Sequence, residues 1–310
     1  LPNWVALIFL VERKTYMTKV LGVIGGSGLY EIDGMENPQW ISVESSFGAP
    51  SDDLLVGEVD GFKVVFLPRH GREHKISPSA INYRANIDAM KRAGVTDLIS
   101  ISACGSFREE MAPCDFVLVD QFIDRTFARE KSFFNEGVVA HISVAHPTCG
   151  GLGDIILDAV KNVDVKMHNG GTYLAMEGPQ FSTLAESKLY RTWGCDVIGM
   201  TNMPEAKLAR EAELCYATVA MVTDYDSWHP DHGEVDVREI RKTLSANSAN
   251  AKSLITNIIP LLKATEDRHP CEQGCDHALE NSMFLKGDID PAIKAKLSAV
   301  AGRVLNNVLA

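Results

Sequence analysis

The sequence predicts an α/β fold: a single domain with a mixed, largely parallel central sheet flanked by helices. Short apolar runs alternate with segments of helical spacing along most of the 310 residues, which is typical of parallel α/β sheets. No internal repeat or low-complexity linker divides the chain. We expect one domain over residues 17–264, preceded by an extension at 1–16 and followed by a tail at 265–310 that contains one helix, Pro291–Leu309.

The first half of this domain is predicted to contain four strands and one helix. Asn82–Ala93 has helical spacing, because Tyr83, Ile87 and Met90 fall on one face, and Gly94 follows as a stop signal. The apolar runs around this helix are short and most lead into turn residues, as buried strands do. The four strands are predicted at residues 19–24, 61–67, 97–101 and 115–119.

The second half repeats this alternation of strands and helices. Residues 215–222 form an unbroken apolar run, which predicts a long buried strand. Pro204 suits the first turn of a helix, because its missing N–H would have no partner there. The remaining predicted elements are a strand at 196–200 and helices at 181–193, 204–213 and 235–262.

Charge and hydropathy exclude two classes of partner. The formal net charge is −11, so the chain lacks the basic footprint of a nucleic-acid-binding protein. The apolar run Trp4–Val11 has eight residues, whereas a spanning helix needs about 20. We therefore expect no membrane partner. Residues 1–16 are interpreted as an extension outside the fold, and a membrane- or partner-docking arm is the alternative.

Seven cysteines, an odd number, are mostly scattered singly in apolar stretches. This distribution indicates free thiols in a reducing compartment, so we expect a cytoplasmic protein. Cys271 and Cys275 lie close together in the chain, and a local disulfide or half of a metal site is an alternative there. The spacing lacks the second half of a zinc site, and the histidines are isolated, so no metal is expected.

A glycine-rich turn, Gly25–Gly28, follows the first predicted strand. It matches neither the dinucleotide pattern G-x-G-x-x-G nor the P-loop, and the chain has no G-x-S-x-G elbow. Backbone N–H groups in such a turn can cradle a phosphate, with the Ser27 hydroxyl as a further donor. A tight strand-exit turn with no ligand is the alternative.

Polar residues follow five different apolar strands. In α/β sheets, ligands bind at the carboxyl ends of the strands, so these segments are expected to converge on one crevice. They are Ser27, Arg69-His70, Ser102-Ala103, Met200-Thr201 and Asp224 with Asp226.

Eight ordered segments, which together span about residues 19–264, resemble the trimeric purine nucleoside phosphorylase family, and in particular its methylthioadenosine-cleaving branch. The resemblance implies phosphorolysis of a purine nucleoside, a homotrimer, and no cofactor other than phosphate as co-substrate. The segments are residues 22–30, 66–74, 82–91, 101–111, 120–126, 176–183, 196–212 and 222–228.

The resemblance also implies a role for each matching position. Those expected to hold phosphate are Ser27, Arg69, His70, Ser102, the Ala103 backbone and Thr201. Those expected at the nucleoside are Met200, Met176 and Glu177 near the ribose, and Phe181, Asp224, Tyr225 and Asp226 at the base. Ser182 and Val237 match positions associated with substrate choice, and His141 matches a contact from the neighbouring subunit.

The chemistry of these residue types fits that assignment. An arginine fork such as that of Arg69 can engage two phosphate oxygens at once. A purine leaves readily when N7 is protonated, and a buried carboxylic acid such as Asp224 can supply that proton. The 6-amino group of adenine donates hydrogen bonds, so Asp224 and Asp226 suit it as acceptors, whereas a 6-oxopurine requires a donor.

Three functions remain open at this point. The first is cleavage of 5′-methylthioadenosine. The second is cleavage of a 6-oxopurine nucleoside or of methylthioinosine, and the third is a purine sensor without catalysis. A methylthio group needs an apolar pocket, which Val237 and Ile240 could line, but Arg241 departs from the apolar residue expected beside them. Strict exclusion of adenosine is therefore not predicted.

Overall fold

The computed structural model describes residues 18–26, 28–30, 32–231, 237–265, 271–284 and 287–307. The predictions for residues 1–16, for Ser27 and for the start of the helix at 235 lie outside the described residues.

The described chain alternates strands and helices, as the sequence predicts. The strands are β1 Leu21–Gly25, β2 Met35–Ile41, β3 Leu54–Val59, β4 Phe62–Pro68, β5 Asp97–Ser106, β6 Phe116–Val119, β7 Gln121–Asp124, β8 Val139–Ala140, β9 Met167–Asn169, β10 Thr172–Ala175, β11 Val197–Gly199, β12 Cys215–Asp224 and β13 Met283–Phe284. The helices are α1 Tyr83–Arg92, α2 Gly150–Ala159, α3 Leu184–Thr192, α4 Asn202–Glu211, α5 Val237–Lys263, α6 Pro291–Lys296 and α7 Ser298–Asn307.

Within the described residues, eleven strands form one mixed sheet, which confirms the predicted fold class. Its centre is parallel: β1 pairs with β4 and β5, and β12 pairs with β5. These central strands are buried along almost their whole length, because parallel strands are covered by helices on both faces. The edge strand β2 pairs antiparallel with β3, which pairs antiparallel with β4.

The sequence prediction missed strand β2 and its partner β3. All seven residues of Met35–Ile41 are exposed or only half-buried, and polar residues interrupt the strand, so it has no apolar run. A usable signal did exist at Asp60-Gly61, where both residues have positive φ, 51° and 70°. Asp-Gly with both φ values positive is typical of a two-residue hairpin turn, and it joins β3 to β4.

Helix boundaries follow their capping residues. The Asn82 side chain accepts from the Ala85 N–H at 3.1 Å and begins α1. Thr183 forms a capping box with Glu186, so α3 begins at Leu184 and not at 181 as predicted. In α4 the backbone of Met203 is not helical (φ −122°, ψ 132°).

Two large apolar clusters lie on opposite faces of the sheet. Along β4, Val64 and Phe66 pack into one cluster, whereas Val65 and Leu67 pack into the other, as the two-residue period of a strand requires. The C-terminal tail packs into the cluster that contains Val65 and Leu67. Its buried side chains there are Leu279, Leu297, Val300, Ala301 and Leu305.

The single helix predicted at Pro291–Leu309 is wrong in detail. The structure has two helices, α6 and α7, divided at Leu297. Leu297 is itself buried in the core, so the chain turns around an apolar anchor. Glu213 also binds the tail, accepting from the Leu279 N–H at 3.0 Å and pairing with Arg303 at 2.7 Å.

The acidic side chain of Glu211 makes stability depend on pH. It accepts from the Phe133 N–H at 2.7 Å and the Ser132 hydroxyl at 2.8 Å, and burial raises its pKa from 4.5 to about 7. Between pH 4.5 and about 7, Glu211 therefore holds a proton in the folded chain that it loses in the unfolded chain. The contribution of Glu211 to the free energy of unfolding falls as pH rises through this range, by on the order of 3 kcal/mol.

We expect Glu211→Gln to remove this part of the pH slope, because an amide does not titrate and still offers an acceptor. Denaturant unfolding at several pH values between 4.5 and 7 measures the effect, with the exposed Glu44 changed to Gln as the matched control. An identical slope in wild type and Glu211→Gln would reject the assignment.

Candidate active site

One cavity of about 860 Å³ opens where the central parallel strands end. Arg69 and Asp224, which the sequence assigns to opposite ends of the ligand, both line it. The predicted residues on its wall are Arg69, His70, Ser102, Ala103, Met176, Phe181, Met200, Thr201, Asp224, Asp226 and Val237. The predicted convergence of these segments on one crevice is confirmed for this set.

Strand register brings these segments together. Ser102 of β5 lies opposite Ala220 of β12, and Gly105 lies opposite Asp224 after a register shift that follows Val222. The shift is a local irregularity of the kind that re-aims side chains beside sites. Strand β11 differs from the expectation because it runs antiparallel to β5, so Met200 and Thr201 reach the cavity from the opposite direction.

Arg69 is 1% exposed, and its fork faces a protein carboxylate. Nε and Nη2 donate to Glu205 at 2.9 and 3.0 Å, and Nη1 donates to the Ile101 carbonyl at 3.0 Å. The prediction that this fork grips two phosphate oxygens therefore needs correction, because Glu205 already occupies it. The second hydrogen of Nη1 is the donor that remains for a ligand.

His70 is neutral in this setting. Its Nδ1 lies 2.8 Å from the Ile76 carbonyl oxygen, so Nδ1 carries the hydrogen and Nε2 presents a lone pair. Burial and the nearby Arg69 charge lower the pKa of His70 to about 4, against the opposing hydrogen bond to Ile76. The ring can therefore accept a hydrogen bond from a protonated phosphate oxygen without adding charge.

The Ser102 hydroxyl is buried and makes no hydrogen bond of ordinary geometry among the described residues, although it lies near enough to the Tyr173 hydroxyl to lower the pKa of that phenol in part. A buried polar group without a partner costs about 1–3 kcal/mol, so such an atom on a cavity wall points to a ligand that satisfies it. Thr201 lies nearby on the same wall, and its hydroxyl bonds to Asn202 Oδ1 at 3.2 Å.

Asp224 lies in an environment that favours the protonated form of its carboxyl group. Burial raises its pKa, although the Thr223 hydroxyl donates to Oδ2 at 2.7 Å and the Asp226 N–H donates to Oδ1 at 2.8 Å. The two donors also fix the orientation of the carboxyl group. An oriented acid with a raised pKa on a cavity wall is suited to proton donation.

Asp226 shares this environment. Burial raises its pKa, partly offset by the Ser187 hydroxyl and, more weakly, by Ser182. Its Oδ2 is buried, and neither this oxygen nor the Ser187 hydroxyl makes a hydrogen bond of ordinary geometry among the described residues. Ser182 does not line the cavity, so its predicted role in substrate choice would act through Asp226.

Glycines make room for these groups. A Cβ on Gly105 would lie 3.0 Å from Asp224 Oδ1 and 3.3 Å from Asp226 Cβ. A Cβ on Gly199 would lie 1.8 Å from the Tyr173 hydroxyl, so a side chain there requires Tyr173 to move. These close approaches explain why the chain carries glycine at both positions beside the cavity.

Besides Ser182, three predicted site residues lie off the cavity wall. Tyr225 packs into a separate apolar cluster, and its hydroxyl donates to the Glu109 carbonyl at 3.2 Å. Glu177 accepts from the Phe127 N–H at 2.6 Å and bonds to Ser79, which supports a loop. His141 packs edge-on against Phe284, 5.4 Å between ring centroids, so a role at the site needs a second subunit.

Sequence reasoning missed Glu205, the partner of Arg69. It lies in a helix with charged neighbours, so its sequence resembles an exposed position, yet it is 1% exposed. The wall opposite the sheet is formed by α5. Its residues at the cavity are Val237, Ile240, Arg241, Leu244 and Ser248.

Comparison with known proteins places this geometry in a family. The model of the phosphorylase superfamily matches residues 20–260. S-methyl-5′-thioadenosine phosphorylase of Cereibacter sphaeroides is 63% identical over 290 residues, 93% of this chain and 99% of that protein.

Solved structures give the same result. A methylthioadenosine phosphorylase from an Antarctic soil metagenomic library has a TM-score of 0.85 and 41% identity, covering 92% of this chain and 99% of its own. A mutant adenosine/methylthioadenosine phosphorylase of Schistosoma mansoni in complex with adenine has a TM-score of 0.75 and 31% identity, covering 87% and 99%. This chain belongs to the phosphorylase superfamily.

Proposed function

We propose that this protein cleaves the N-glycosidic bond of 5′-methylthioadenosine with inorganic phosphate, releasing adenine and 5-methylthioribose 1-phosphate. The observation that carries the proposal is a single cavity with anion donors beside Arg69 and two buried aspartates of raised pKa. Its similarity to relatives of that name supports the same substrate.

Phosphate is the nucleophile in this reaction. One of its oxygens bonds to C1′ as the bond from C1′ to N9 breaks, and the electron pair of that bond leaves with the purine. We assign phosphate binding to Ser102, Thr201, His70, the Ala103 backbone and Nη1 of Arg69. The dianion also stabilises the cation-like sugar of the transition state, where electrostatic stabilisation lowers the barrier.

Asp224 supplies the proton that the leaving purine needs. Burial raises its pKa and so favours the protonated acid, and N7 of adenine takes the proton as negative charge develops on the base. The proton balance closes because the phosphate proton is released when the ester forms and replaces the one given by Asp224. The neutral Nε2 of His70 is an acceptor for that P–OH group.

Base selection follows from acceptors on the wall. The unpartnered Oδ2 of Asp226 suits the 6-amino group of adenine. A 6-oxo group would face this oxygen with a second acceptor and leave a buried polar group unpaired, at about 1–3 kcal/mol, or roughly tenfold to a hundredfold. A 6-oxopurine nucleoside is therefore not favoured.

The remaining features of the proposal concern the 5′ group and assembly. Val237, Ile240 and Leu244 offer apolar contact for a methylthio group, with Arg241 beside them.

We assign a homotrimer to the protein, supported by the family resemblance and by the side chain of Phe127, which is 82% exposed. We assign the protein to the cytoplasm, where its thiols stay reduced. Among the described residues, no helix has both the length and the hydropathy to cross a bilayer.

The test of the proposed function is adenine release from 5′-methylthioadenosine with and without phosphate. We expect release only with phosphate, and lower kcat/KM for methylthioinosine and inosine because Asp226 lacks a donor for their 6-oxo group. Preference for inosine would reject the substrate assignment. Tight purine binding without phosphate-dependent release would indicate a sensor.

Asp224→Asn is expected to lower kcat by about 100-fold or more, since general acids typically contribute 10²–10⁴-fold. The amide cannot donate the proton as an acid but keeps the shape of the side chain. Wild-type kcat should fall as pH rises through the raised pKa of Asp224, and this decline should be absent from the residual activity of the variant.

The matched control for this prediction is Asp231→Asn, at an exposed position of the same loop. Steady-state kinetics across pH for wild type and both variants measure the effect. Full activity in Asp224→Asn, with circular dichroism unchanged, would show that this residue is not the acid.

A further inference from the structure

Four cysteine side chains meet at the end of β12 that lies away from the active site. Cys215 is the first residue of this strand and Asp224 is the last, and nine residue steps of a strand span about 30 Å. The cluster consists of Cys149, Cys215, Cys271 and Cys275, whose Sγ atoms all lie within 4.8 Å of one another. The catalytic proposal uses none of them.

We propose that this four-cysteine cluster binds one Zn²⁺ ion in a tetrahedral structural site. Zinc–thiolate bonds of about 2.3 Å in a tetrahedron place neighbouring sulfurs about 3.8 Å apart. The Sγ atoms of Cys149 and Cys271 are 3.7 Å apart. This pair is already at the spacing that the ion requires, and the remaining pairs, all within 4.8 Å, are within about 1 Å of that spacing.

The backbone around the cluster is held by its own hydrogen bonds. The Cys149 N–H donates to the Tyr216 carbonyl at 2.7 Å, which ties the start of α2 to β12. In the tail, the Gly274 N–H donates to the Cys271 carbonyl at 2.7 Å, and Gly274 has a left-handed backbone, φ 64°. This tight turn brings Cys275 back beside Cys271.

The surroundings suit a structural ion and not a catalytic one. Cys149, Cys215 and Cys275 are buried within one apolar cluster, and Cys271 packs against it from a half-buried position. Structural zinc sites are closed, with four protein ligands and no open position. The four thiols supply all four ligands.

Charge near the site is also compatible with an ion bound by four thiolates. Each thiol loses its proton on binding, so Zn²⁺ with four thiolates carries a net charge of −2. Cys149 is the N-cap residue of α2 and its own side chain makes no cap hydrogen bond. The Gln273 side chain accepts from the Gly150 N–H at 2.5 Å, and the remaining N–H groups and the helix dipole favour negative charge at this end. Arg210 donates to the Gln273 carbonyl at 3.3 Å, within the loop that joins the two tail cysteines.

A disulfide accounts for this arrangement less well. It would join two sulfurs at about 2.05 Å and leave the other two without a role, whereas all four are mutually close. The tail motif Cys271–Cys275 supplies half of a zinc site, and the fold brings the other half, Cys149 and Cys215, from distant parts of the chain. Metal binding would thereby fasten the tail to the domain.

The test is elemental analysis of the untagged full chain, purified under reducing conditions without chelator. We expect about one zinc per chain and no other stoichiometric metal. The double variant Cys271→Ser, Cys275→Ser should lose the zinc while keeping phosphate-dependent adenine release below its lowered melting temperature. Cys195→Ser, a buried cysteine outside the cluster, is the matched control and should keep the zinc.

A second measurement does not depend on a variant that folds. Wild-type protein stripped with chelator and reductant and reloaded with Co²⁺ alone should show thiolate-to-metal charge transfer and the visible bands of a tetrahedral site. Zinc removal should lower the melting temperature and its return should restore it. Metal-free protein that binds no Zn²⁺ or Co²⁺ under reducing conditions would overturn the site, and stoichiometric iron in the isolated protein would overturn zinc as the occupant.

Discussion

The buried ion pair of Arg69 with Glu205 is the contact on which the site's geometry depends. Arg69 directly follows β4, and its side chain also donates to the Ile24 carbonyl of β1 at 3.2 Å and to Ser100 of β5 at 2.5 Å. One guanidinium therefore joins three parallel strands to α4 at the point where β1 and β4 end. Buried pairs often add little net stability, so we assign this one a positioning role.

The same pair sets the charge of the cavity. Glu205 offsets the charge of Arg69, His70 is neutral, and burial favours the neutral form of Asp224. These groups at the cavity thus carry little net charge. When phosphate enters, its negative charge is the largest in the cavity, and it lies where the sugar becomes cation-like. Neutral donors can hold the anion without cancelling that field.

Sequence alone predicts the parts of this structure that depend on local pattern. The apolar runs of β1, β4, β5 and β12 and the caps of α1 identify the central sheet and one helix, and the polar residues after those strands identify the cavity. The role of Glu205 depends on a contact 136 residues away from Arg69, which no local pattern encodes. Cys149 and Cys215 are likewise distant in sequence from Cys271 and Cys275, so no local pattern predicts that the four side chains meet.

The most direct test of this account is a crystal structure of the protein with phosphate and adenine bound. We predict that both ligands occupy the one cavity, with phosphate within hydrogen-bond distance of Ser102 Oγ and Arg69 Nη1 while Nε and Nη2 stay on Glu205, and with adenine N7 facing Asp224. Phosphate bound by the Arg69 fork with Glu205 displaced, or phosphate and adenine in separate cavities, would contradict the account.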